Sequence, residues 1–192
     1  MAERHPTSNG TDVQDEWLVR RSRAGDREAF GQLVSRHQSA VYRVVRGILG
    51  DPAESEDVAQ EVFLKAYANL ARFRGDSSLF TWLYRIAVNE ALRARKRRPL
   101  PTLEALPETE VPPSEPEAEG DAPTLATLQR MLAKLPDDYR AIVTLRDLEG
   151  LSYQEIAETL EIPIGTVESR LFRARQDLRA LWRKTKEAKN AL

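Results

Sequence analysis

The chain has 192 residues, of which 41% are hydrophobic and 31% charged, and its formal net charge is -1. No apolar run approaches the roughly 20 residues of a membrane span, so we expect no membrane insertion. The chain has no cysteine and only two histidines, which excludes disulfides and thiolate metal sites and gives histidine chemistry little support.

Residues 1–15 are polar and slightly acidic, and they lack the basic start and apolar stretch of a secretory signal. We therefore expect an N-terminal tail on a cytoplasmic protein. Beyond the tail, residues 16–98 carry sixteen basic and ten acidic side chains, residues 99–123 none and seven, and residues 124–192 twelve and ten. Two basic blocks thus flank an acidic segment.

The first block begins with a predicted amphipathic helix. Apolar side chains recur at three- and four-residue steps from Phe30 to Ile48, which indicates one buried helical face, and Gly50 ends it. His37 lies on that face, which is more typical of a core or boundary histidine than of a ligand.

Two further helices complete this block. Asp51 followed by Pro52 is a favoured helix start. The apolar face of that helix is predicted to contain Val58, Val62, Tyr67 and Leu70. The third helix has its apolar positions at Leu79, Trp82, Leu83, Ile86 and Ala87, and Pro99 ends it after a basic run. No stretch alternates with period two for long enough to predict a strand.

Residues 99–123 contain seven of the eleven prolines and seven carboxylates. Such a segment cannot bury enough apolar surface to offset the entropy of ordering, so we predict a flexible acidic linker between two domains.

The second block is predicted to contain a helix-turn-helix. An amphipathic helix from Leu125 to Leu135 is followed by another that starts at Asp137 or Asp138 and ends near Gly150. Ser152 and Glu155 then form a capping box at the start of a short helix. After a tight turn, Thr166 is expected to cap a longer helix whose Val167, Leu171, Leu178 and Leu181 point inward. This order places the second helix in a DNA major groove.

A helical hairpin that serves packing alone would show the same buried positions. It does not explain the arginines at positions 170, 173 and 175. Arginine gives guanine a bidentate hydrogen-bonding partner and phosphate a charged one. The pattern therefore favours DNA binding, on an all-α fold of two small helical domains.

Residues 150–175 resemble the promoter-reading helix-turn-helix of extracytoplasmic-function sigma factors of bacterial RNA polymerase. Residues 56–67 and 73–89 are similar to the other domain of that family. The two matches span most of the chain in the family's order. The resemblance implies a sigma-E-like alternative sigma factor, which is not an enzyme and uses no cofactor.

The resemblance also implies domain boundaries. Residues 1–15 are expected to form a tail, 16–98 sigma domain 2, 99–123 the linker, 124–186 sigma domain 4, and 187–192 a C-terminal tail. The linker's carboxylates are expected to lie in a basic polymerase channel.

By the same resemblance, the second predicted helix docks on the clamp helices of core polymerase through Asp57, Gln60, Glu61 and Phe63. Exposed carboxylates beside an aromatic anchor suit such a surface. The alternative interpretation is that Glu54, Glu56 and Asp57 only cap a helix.

The resemblance assigns capture of the melted minus-ten strand to the loop after position 71 and to the third helix. The residues expected there are Arg72, Phe73, Arg74, Phe80, Asn89, Arg93, Arg95, Lys96 and Arg97, with Arg98 continuing the basic run. Aromatic faces stack on extruded bases, Asn89 meets base edges, and the basic side chains follow the phosphates. The alternative is that Phe73, Phe80 and Trp82 belong to the core, which we prefer for Trp82.

The minus-thirty-five duplex is expected to contact Thr166, Glu168, Ser169, Arg170, Phe172, Arg173 and Arg175. Glu168 stands where the family often has a basic or polar residue. Its carboxylate is repelled by phosphate but accepts a hydrogen bond from cytosine, so the preferred minus-thirty-five sequence is expected to be atypical.

The implied partners are core RNA polymerase, contacted at its clamp helices and flap, and promoter DNA, duplex at minus thirty-five and single-stranded at minus ten. An anti-sigma factor that covers both DNA-facing surfaces is expected as well. The protein itself is expected to act in the stress response, to associate with the nucleoid, and to be tethered to the membrane only indirectly, through the anti-sigma factor. Two other classes stay open: a dimeric operator-binding regulator that works without polymerase, and an enzyme or small-molecule-binding helical domain, for which no polar pocket is evident.

Overall fold

The computed structural model describes residues 13–97 and 123–190. All of the predicted linker except residue 123, together with Arg98, lies outside the described residues. The described part is helical throughout, without a strand, which confirms the all-α fold class. No helix within it is long and apolar enough to cross a bilayer.

The N-terminal block consists of four helices. They are α1 (Val13–Arg23), α2 (Arg27–Leu49), α3 (Pro52–Asn69), which continues into a 3-10 turn at Leu70–Arg72, and α4 (Leu79–Arg97). Asp26 caps α2 by accepting from the Ala29 amide, and Asp51 caps α3 by accepting from the Glu54 amide. Gly50, with a φ of 81°, ends α2 in the left-handed conformation that glycine adopts without strain.

Helix α1 was not predicted, and it begins within the segment expected to be a tail. Its start is held by Asp15, which is 5% exposed. The Asp15 carboxylate accepts from Arg36 Nε at 2.9 Å and lies 2.8 Å from His37 Nε2. His37 is therefore a half-buried partner of α1, as expected for a boundary residue rather than a ligand.

The C-terminal block also has four helices. They are α5 (Leu125–Lys134), α6 (Asp137–Val143), which continues into a π-helical segment (Thr144–Leu148), α7 (Tyr153–Leu160) and α8 (Ile164–Asn190). The capping box of Ser152 and Glu155 is present at the start of α7. The expected cap at Thr166 is wrong: α8 begins at Ile164, three residues earlier than such a cap implies, and the Thr166 amide donates to the Pro163 carbonyl at 2.9 Å.

The two blocks pack against each other around one contiguous core. Helix α2 contacts α5, α6 and the π-helical segment, while α4 contacts α7. The buried apolar cluster runs from Leu18 in α1 to Ala174 in α8 without a division between the blocks. The sequence predicted two domains joined by a linker, and it contains no local signal for this contact.

Some positions of the predicted apolar faces lie outside the core, and Tyr67 is the most exposed of those on α3. Tyr67, expected to be buried with Val58, Val62 and Leu70, is 44% exposed. Its ring packs edge-on against Phe30, with centroids 4.8 Å apart, on the outer side of α2 and α3. A second apolar surface therefore exists beside the core.

Candidate functional site

A long apolar groove runs between the outer faces of α2 and α3. Its volume is about 1030 Å³. The apolar side chains that line it are Phe30, Val34, Tyr42, Phe63, Leu64 and Tyr67. Leu64 is 71% exposed, which is unusual for a leucine that has an apolar neighbourhood to join. A rimmed apolar surface of this kind is typical of a protein docking site.

The expected polymerase-binding residues lie on or beside this groove. Gln60 and Phe63 line it. Asp57 is exposed one turn before Glu61, and Glu61 pairs with Lys65 at 2.8 Å. The hydrogen bond from Lys65 lowers the pKa of Glu61, so this carboxylate stays charged at neutral pH. The sequence analysis missed Phe30, Val34, Leu64 and Tyr67 as lining residues, because exposure on a helix's outer face cannot be told from burial by periodicity alone.

The cap of α3 bears on the alternative role of the acidic residues. Asp51 supplies the side-chain oxygen that caps the helix. Asp57 lies in the second turn, where it contributes nothing to the cap. The cap therefore leaves the Asp57 carboxylate available for a partner.

The loop before α4 divides the expected minus-ten residues into two groups. Arg72 and Arg74 are exposed. Phe73 is only 7% exposed and packs against Trp82, with ring centroids 5.1 Å apart. Phe80 is half-buried and lies 4.0 Å from Tyr84 between ring centroids. Phe73 is thus buried, because the short loop turns it inward, whereas Phe80 and Trp82 are only half-buried.

A polar pocket of about 360 Å³ brings three of the expected minus-ten residues together. Arg72, Asn89 and Arg93 line it, along with Lys65, Asn69, Trp82, Ile86 and Glu90. Glu90 is 3% exposed at the base of the pocket and accepts from Arg93 Nη1 at 3.0 Å and from Lys65. The pocket is therefore lined by the amides of Asn69 and Asn89 and by basic side chains, two of which are held by the buried Glu90 carboxylate. Lys65 and Asn69 were missed, since they lie on α3, far from the loop in sequence.

The basic end of α4 is split by the packing of the blocks. Lys96 and Arg97 are exposed. Arg95, expected to contact phosphate, is half-buried and pairs with Asp137 of α6, and its Nη2 lies 3.5 Å from the Ala133 carbonyl. In this arrangement Arg95 holds the C-terminal block rather than facing solvent.

The first turns of α8 carry the expected minus-thirty-five residues. Glu168, Ser169, Phe172 and Arg173 are exposed, and Phe172 is 61% exposed. Thr166 is half-buried at the start of the helix. The other two arginines have acidic partners in their own block: Arg170 Nη1 lies 3.0 Å from Asp138 Oδ2, and Arg175 Nε lies 3.3 Å from Asp147 Oδ2. The exposed, unpaired residues of α8 are therefore fewer than the sequence suggested, because Arg170 and Arg175 are paired.

The part of the chain that the structure describes does not bring metal-binding side chains together. Within residues 13–97 and 123–190, no three His, Asp or Glu side chains form a group that could hold a metal ion. The features that the described residues do assemble are an apolar groove, a polar pocket and an exposed helix face.

Comparisons with known proteins identify both blocks. Residues 33–99 match the family described as Sigma-70 region 2, and residues 125–178 match Sigma-70, region 4. The chain is 42% identical over 185 residues to the RNA polymerase sigma-H factor of Pseudomonas aeruginosa, covering 86% of this chain and 92% of that protein. It is 41% identical over 183 residues to the ECF RNA polymerase sigma-E factor of Escherichia coli K12, covering 85% and 92%.

Solved structures agree with this grouping. CnrH in complex with the cytosolic domain of CnrY superposes with a TM-score of 0.68 at 30% identity, covering 88% of this chain and 96% of that one. The sigma factor RpoE in complex with the anti-sigma factor NepR from Bartonella quintana gives 0.62 at 26% identity, covering 80% and 96%.

Proposed function

The chain belongs to the extracytoplasmic-function sigma factors of bacterial RNA polymerase, and we propose how its surfaces divide the work of initiation. It is an alternative sigma factor that directs promoter-specific transcription. The block of residues 16–98 grips core polymerase and holds the minus-ten strand, and the block of residues 124–186 reads the minus-thirty-five duplex. The protein itself catalyses nothing and acts in the cytoplasm, where its polymerase is.

The apolar groove between α2 and α3 is the observation that supports polymerase binding by this block. Helical partners bind such grooves through spaced apolar anchors, with charged residues on the rim that select the partner. Phe63 and Leu64 provide the anchor, while Asp57, Gln60 and Glu61 provide the polar contacts. Clamp helices of the polymerase are the occupant that the family implies.

The pocket between α3 and α4 supports the minus-ten assignment. Asn89 supplies donors and an acceptor for a base edge, and Arg72, Arg74, Lys96 and Arg97 offer exposed positive charge for the strand. Opening a duplex costs unstacking energy, and holding an extruded nucleotide offsets it. Phe73 contributes indirectly, because its ring packs against Trp82, which lines the pocket.

The exposed face of α8 supports the minus-thirty-five assignment. Arg173 has no side-chain partner among the described residues, so its guanidinium is available for a guanine or a phosphate. Glu168 lies on the same face and accepts from cytosine. Arg170 and Arg175, which pair with Asp138 and Asp147, act chiefly by orienting the helix.

An anti-sigma factor is a further proposed partner. One solved relative is bound to an anti-sigma factor, and it aligns over most of this chain. An inhibitor of that kind would cover the DNA-facing surfaces and would confer membrane tethering only indirectly.

Run-off transcription tests the proposed function. Core polymerase with genomic promoter fragments should yield discrete transcripts only when this protein is added. A regulator of another class would bind duplex operators by itself and would leave core polymerase inactive, so transcripts that do not depend on the protein would contradict the proposal.

The docking groove is tested with Leu64→Glu. The side chain is 71% exposed, so the substitution should leave folding unchanged while it places a charge in the apolar groove. We expect the affinity for core polymerase, measured by co-migration, to fall at least about tenfold, which corresponds to roughly 1.4 kcal/mol. Val13→Glu is the matched control, because Val13 is 78% exposed and lies outside the groove. Equal binding by both variants would contradict the docking site.

A further inference from the structure

We propose that Glu90 is a positioning residue that makes the polar pocket between α3 and α4 select an unpaired base over a phosphate group. The volume of this pocket is about 360 Å³. Glu90 engages two of the cations that line it, and a cation paired in this way attracts phosphate only weakly. Capture of a base in the pocket rests on the function proposed above, whereas the charge balance set by Glu90 is an addition to that function.

Glu90 is paired through both of its oxygens. The residue is only 3% exposed. Its Oε1 accepts from Arg93 Nη1, three residues further along α4, at 3.0 Å, and its Oε2 accepts from Lys65 Nζ of α3. A carboxylate buried to this degree is stable only when it is paired. Glu90 therefore joins α3 to α4 at the pocket and holds one cation with each oxygen.

Lys65 has a second acidic partner outside the pocket. Its Nζ lies 2.8 Å from Glu61 Oε1. Glu61 is one of the residues proposed to contact polymerase, so that contact would compete for its carboxylate. Glu90, in contrast, is the only acidic side chain among the described residues that line the pocket. The charge of Lys65 is therefore balanced from the pocket side by Glu90, whichever partner Glu61 has.

Other polar groups of the pocket are left without a partner. Within residues 13–97 and 123–190, neither the Asn89 amide nor the Arg72 guanidinium makes a hydrogen bond or an ion pair. Asn69 differs, because its amide nitrogen donates to the Lys65 carbonyl at 2.9 Å, which leaves its Oδ1 as an acceptor. An amide that offers both a donor and an acceptor suits the edge of a base, whereas a lone guanidinium suits a phosphate.

The rest of the lining is apolar. Trp82 and Ile86 of α4 are both half-buried and line the pocket. The Trp82 ring is held by Phe73, with ring centroids 5.1 Å apart. Such a surface contacts the face of a base and offers nothing to a phosphate. The pocket therefore combines apolar and amide surface with two cations that are already paired.

The pairing decides which part of a single strand the pocket prefers. Every nucleotide carries a phosphate, and a free ammonium or guanidinium binds it regardless of the base. Without the charge of Glu90, Lys65 and Arg93 would join Arg72 as phosphate ligands, and a strand would bind by its backbone alone. With Glu90 in place, the carboxylate also repels an approaching phosphate, so a strand gains most by placing a base in the pocket.

Glu90→Gln tests this role, because glutamine keeps the shape of the side chain and removes its charge. Lys65 and Arg93 are 36% and 67% exposed, so neither becomes a buried unpaired charge, and the variant should fold. Glu28→Gln is the matched control: it changes the net charge equally, and Glu28 is exposed on α2 and does not line the pocket. Glu90→Asp keeps the charge on a shorter side chain. An unchanged helical circular dichroism spectrum shows that each variant is folded.

The measurement is binding of the full chain to two fluorescent single-stranded DNA 12-mers, one of random sequence and one in which every sugar lacks its base. We expect the unsubstituted protein, Glu28→Gln and Glu90→Asp to prefer the strand with bases several-fold. Glu90→Gln should bind both strands about equally, because its gain is in phosphate contacts. The slope of log K against log salt concentration should steepen by about 0.7 for each cation that gains a phosphate.

A fall in the affinity of Glu90→Gln for both strands, with an unchanged salt slope, would indicate a structural role alone and overturn the proposal. Equal slopes for Glu90→Gln and Glu28→Gln, or no preference for bases in the unsubstituted protein, would overturn it as well. Combining Lys65→Met with Glu90→Gln removes an ammonium together with the carboxylate, so the slope should return towards that of the unsubstituted protein. These measurements contain no polymerase, so a failure to start transcripts would contradict the proposed function without affecting them.

Discussion

Arg140 is 1% exposed, and its guanidinium binds carbonyl oxygens in place of a carboxylate. Its Nε donates to the Leu132 carbonyl at 2.6 Å, and its Nη atoms donate to the carbonyls of Ile48 and Leu135 at 3.0 Å. These oxygens lie at the C-terminal ends of α2 and α5, where helix dipoles concentrate negative charge. One side chain therefore satisfies carbonyl groups at the ends of two helices and joins the two blocks.

Arg140→Lys should destabilise the fold although it keeps the charge. An ammonium offers donors from one point and cannot reproduce the planar fork, so buried carbonyls are left unpaired. We expect the free energy of unfolding to fall by about 3 kcal/mol in urea denaturation. Arg179→Lys, at an exposed position, should change it by less than about 0.5 kcal/mol. Equal midpoints for the two variants would refute this role.

Asp15 contributes to the stability of the fold in a pH-dependent way. Burial raises its pKa, but the hydrogen bond and charge of His37, together with those of Arg36, outweigh burial and hold the pKa below the ordinary 3.8. A carboxyl with a lowered pKa adds stability above its unfolded-state pKa, and that stability disappears as the pH falls through the folded-state pKa.

Asp15→Asn should therefore cost about 2 kcal/mol at pH 7, and the difference from the unsubstituted protein should shrink below about pH 3.8. Urea midpoints at several pH values measure it. Asp76→Asn is the control, since that side chain is 83% exposed and its deficit should be small at every pH. A deficit for Asp15→Asn that does not vary with pH would show that packing, not charge, matters there.

At the scale of elements, the start of α7 depends on a reciprocal cap. The Glu155 amide donates to Ser152 Oγ at 3.2 Å, and the Ser152 amide donates to Glu155 Oε2 at 2.8 Å. Helix α7 has only eight residues, so it cannot rely on intrinsic helix stability. The cap and the buried Ile156 therefore set where the helix-turn-helix begins.

Ser152→Ala should lower the free energy of unfolding by about 1 kcal/mol, because an amide of the first turn loses its acceptor. Thermal unfolding measures the loss. Ser35→Ala, within α2, removes an exposed hydroxyl that bonds only the Gly31 carbonyl, and it should be neutral or slightly stabilising. If both variants melt alike, the capping box contributes nothing measurable.

At the scale of the whole molecule, one core extends through both blocks. Contacts between α2 and the second block, and between α4 and α7, are made by residues far apart in sequence. Such coupling should make the two blocks unfold together, although each carries its own family match.

Gly47→Ala should separate the unfolding of the blocks. We expect one calorimetric transition for the unsubstituted protein and for Gly31→Ala, and two transitions for Gly47→Ala, because the clash with Thr144 removes the contact that couples the blocks. Alanine stabilises a helix by roughly 1 kcal/mol relative to glycine, so the transition of the N-terminal block should not fall. A single unshifted transition in Gly47→Ala would contradict the coupling.

Local signals predicted much of this fold. The start of α3 at Asp51 and Pro52, the end of α2 at Gly50 and the cap of α7 were all predictable, because each depends on residues a few positions apart. The buried positions of α2 followed from periodicity. The start of α8 was predicted three residues late, since backbone bonds to Pro163, rather than a threonine side chain, begin that helix.

The site was predictable in part. Residue types and order predicted that α3, the loop before α4 and α8 carry the functional surfaces, which stays a prediction. They did not reveal that Phe73 turns into the core, that Arg95 holds α6, or that Arg170 has an acidic partner. Each of these depends on a neighbour from another element.

By itself, the sequence determined the helices after α1, the two blocks and the family, because periodicity, caps and motifs act over a few residues. Only the tertiary structure decided which of the predicted site residues are exposed and which are buried or paired with another element. Burial of Glu149 between Arg43 and Tyr84, and the fit of Thr144 against Gly47, arise from contacts between residues 65 to 106 positions apart, which no local pattern encodes.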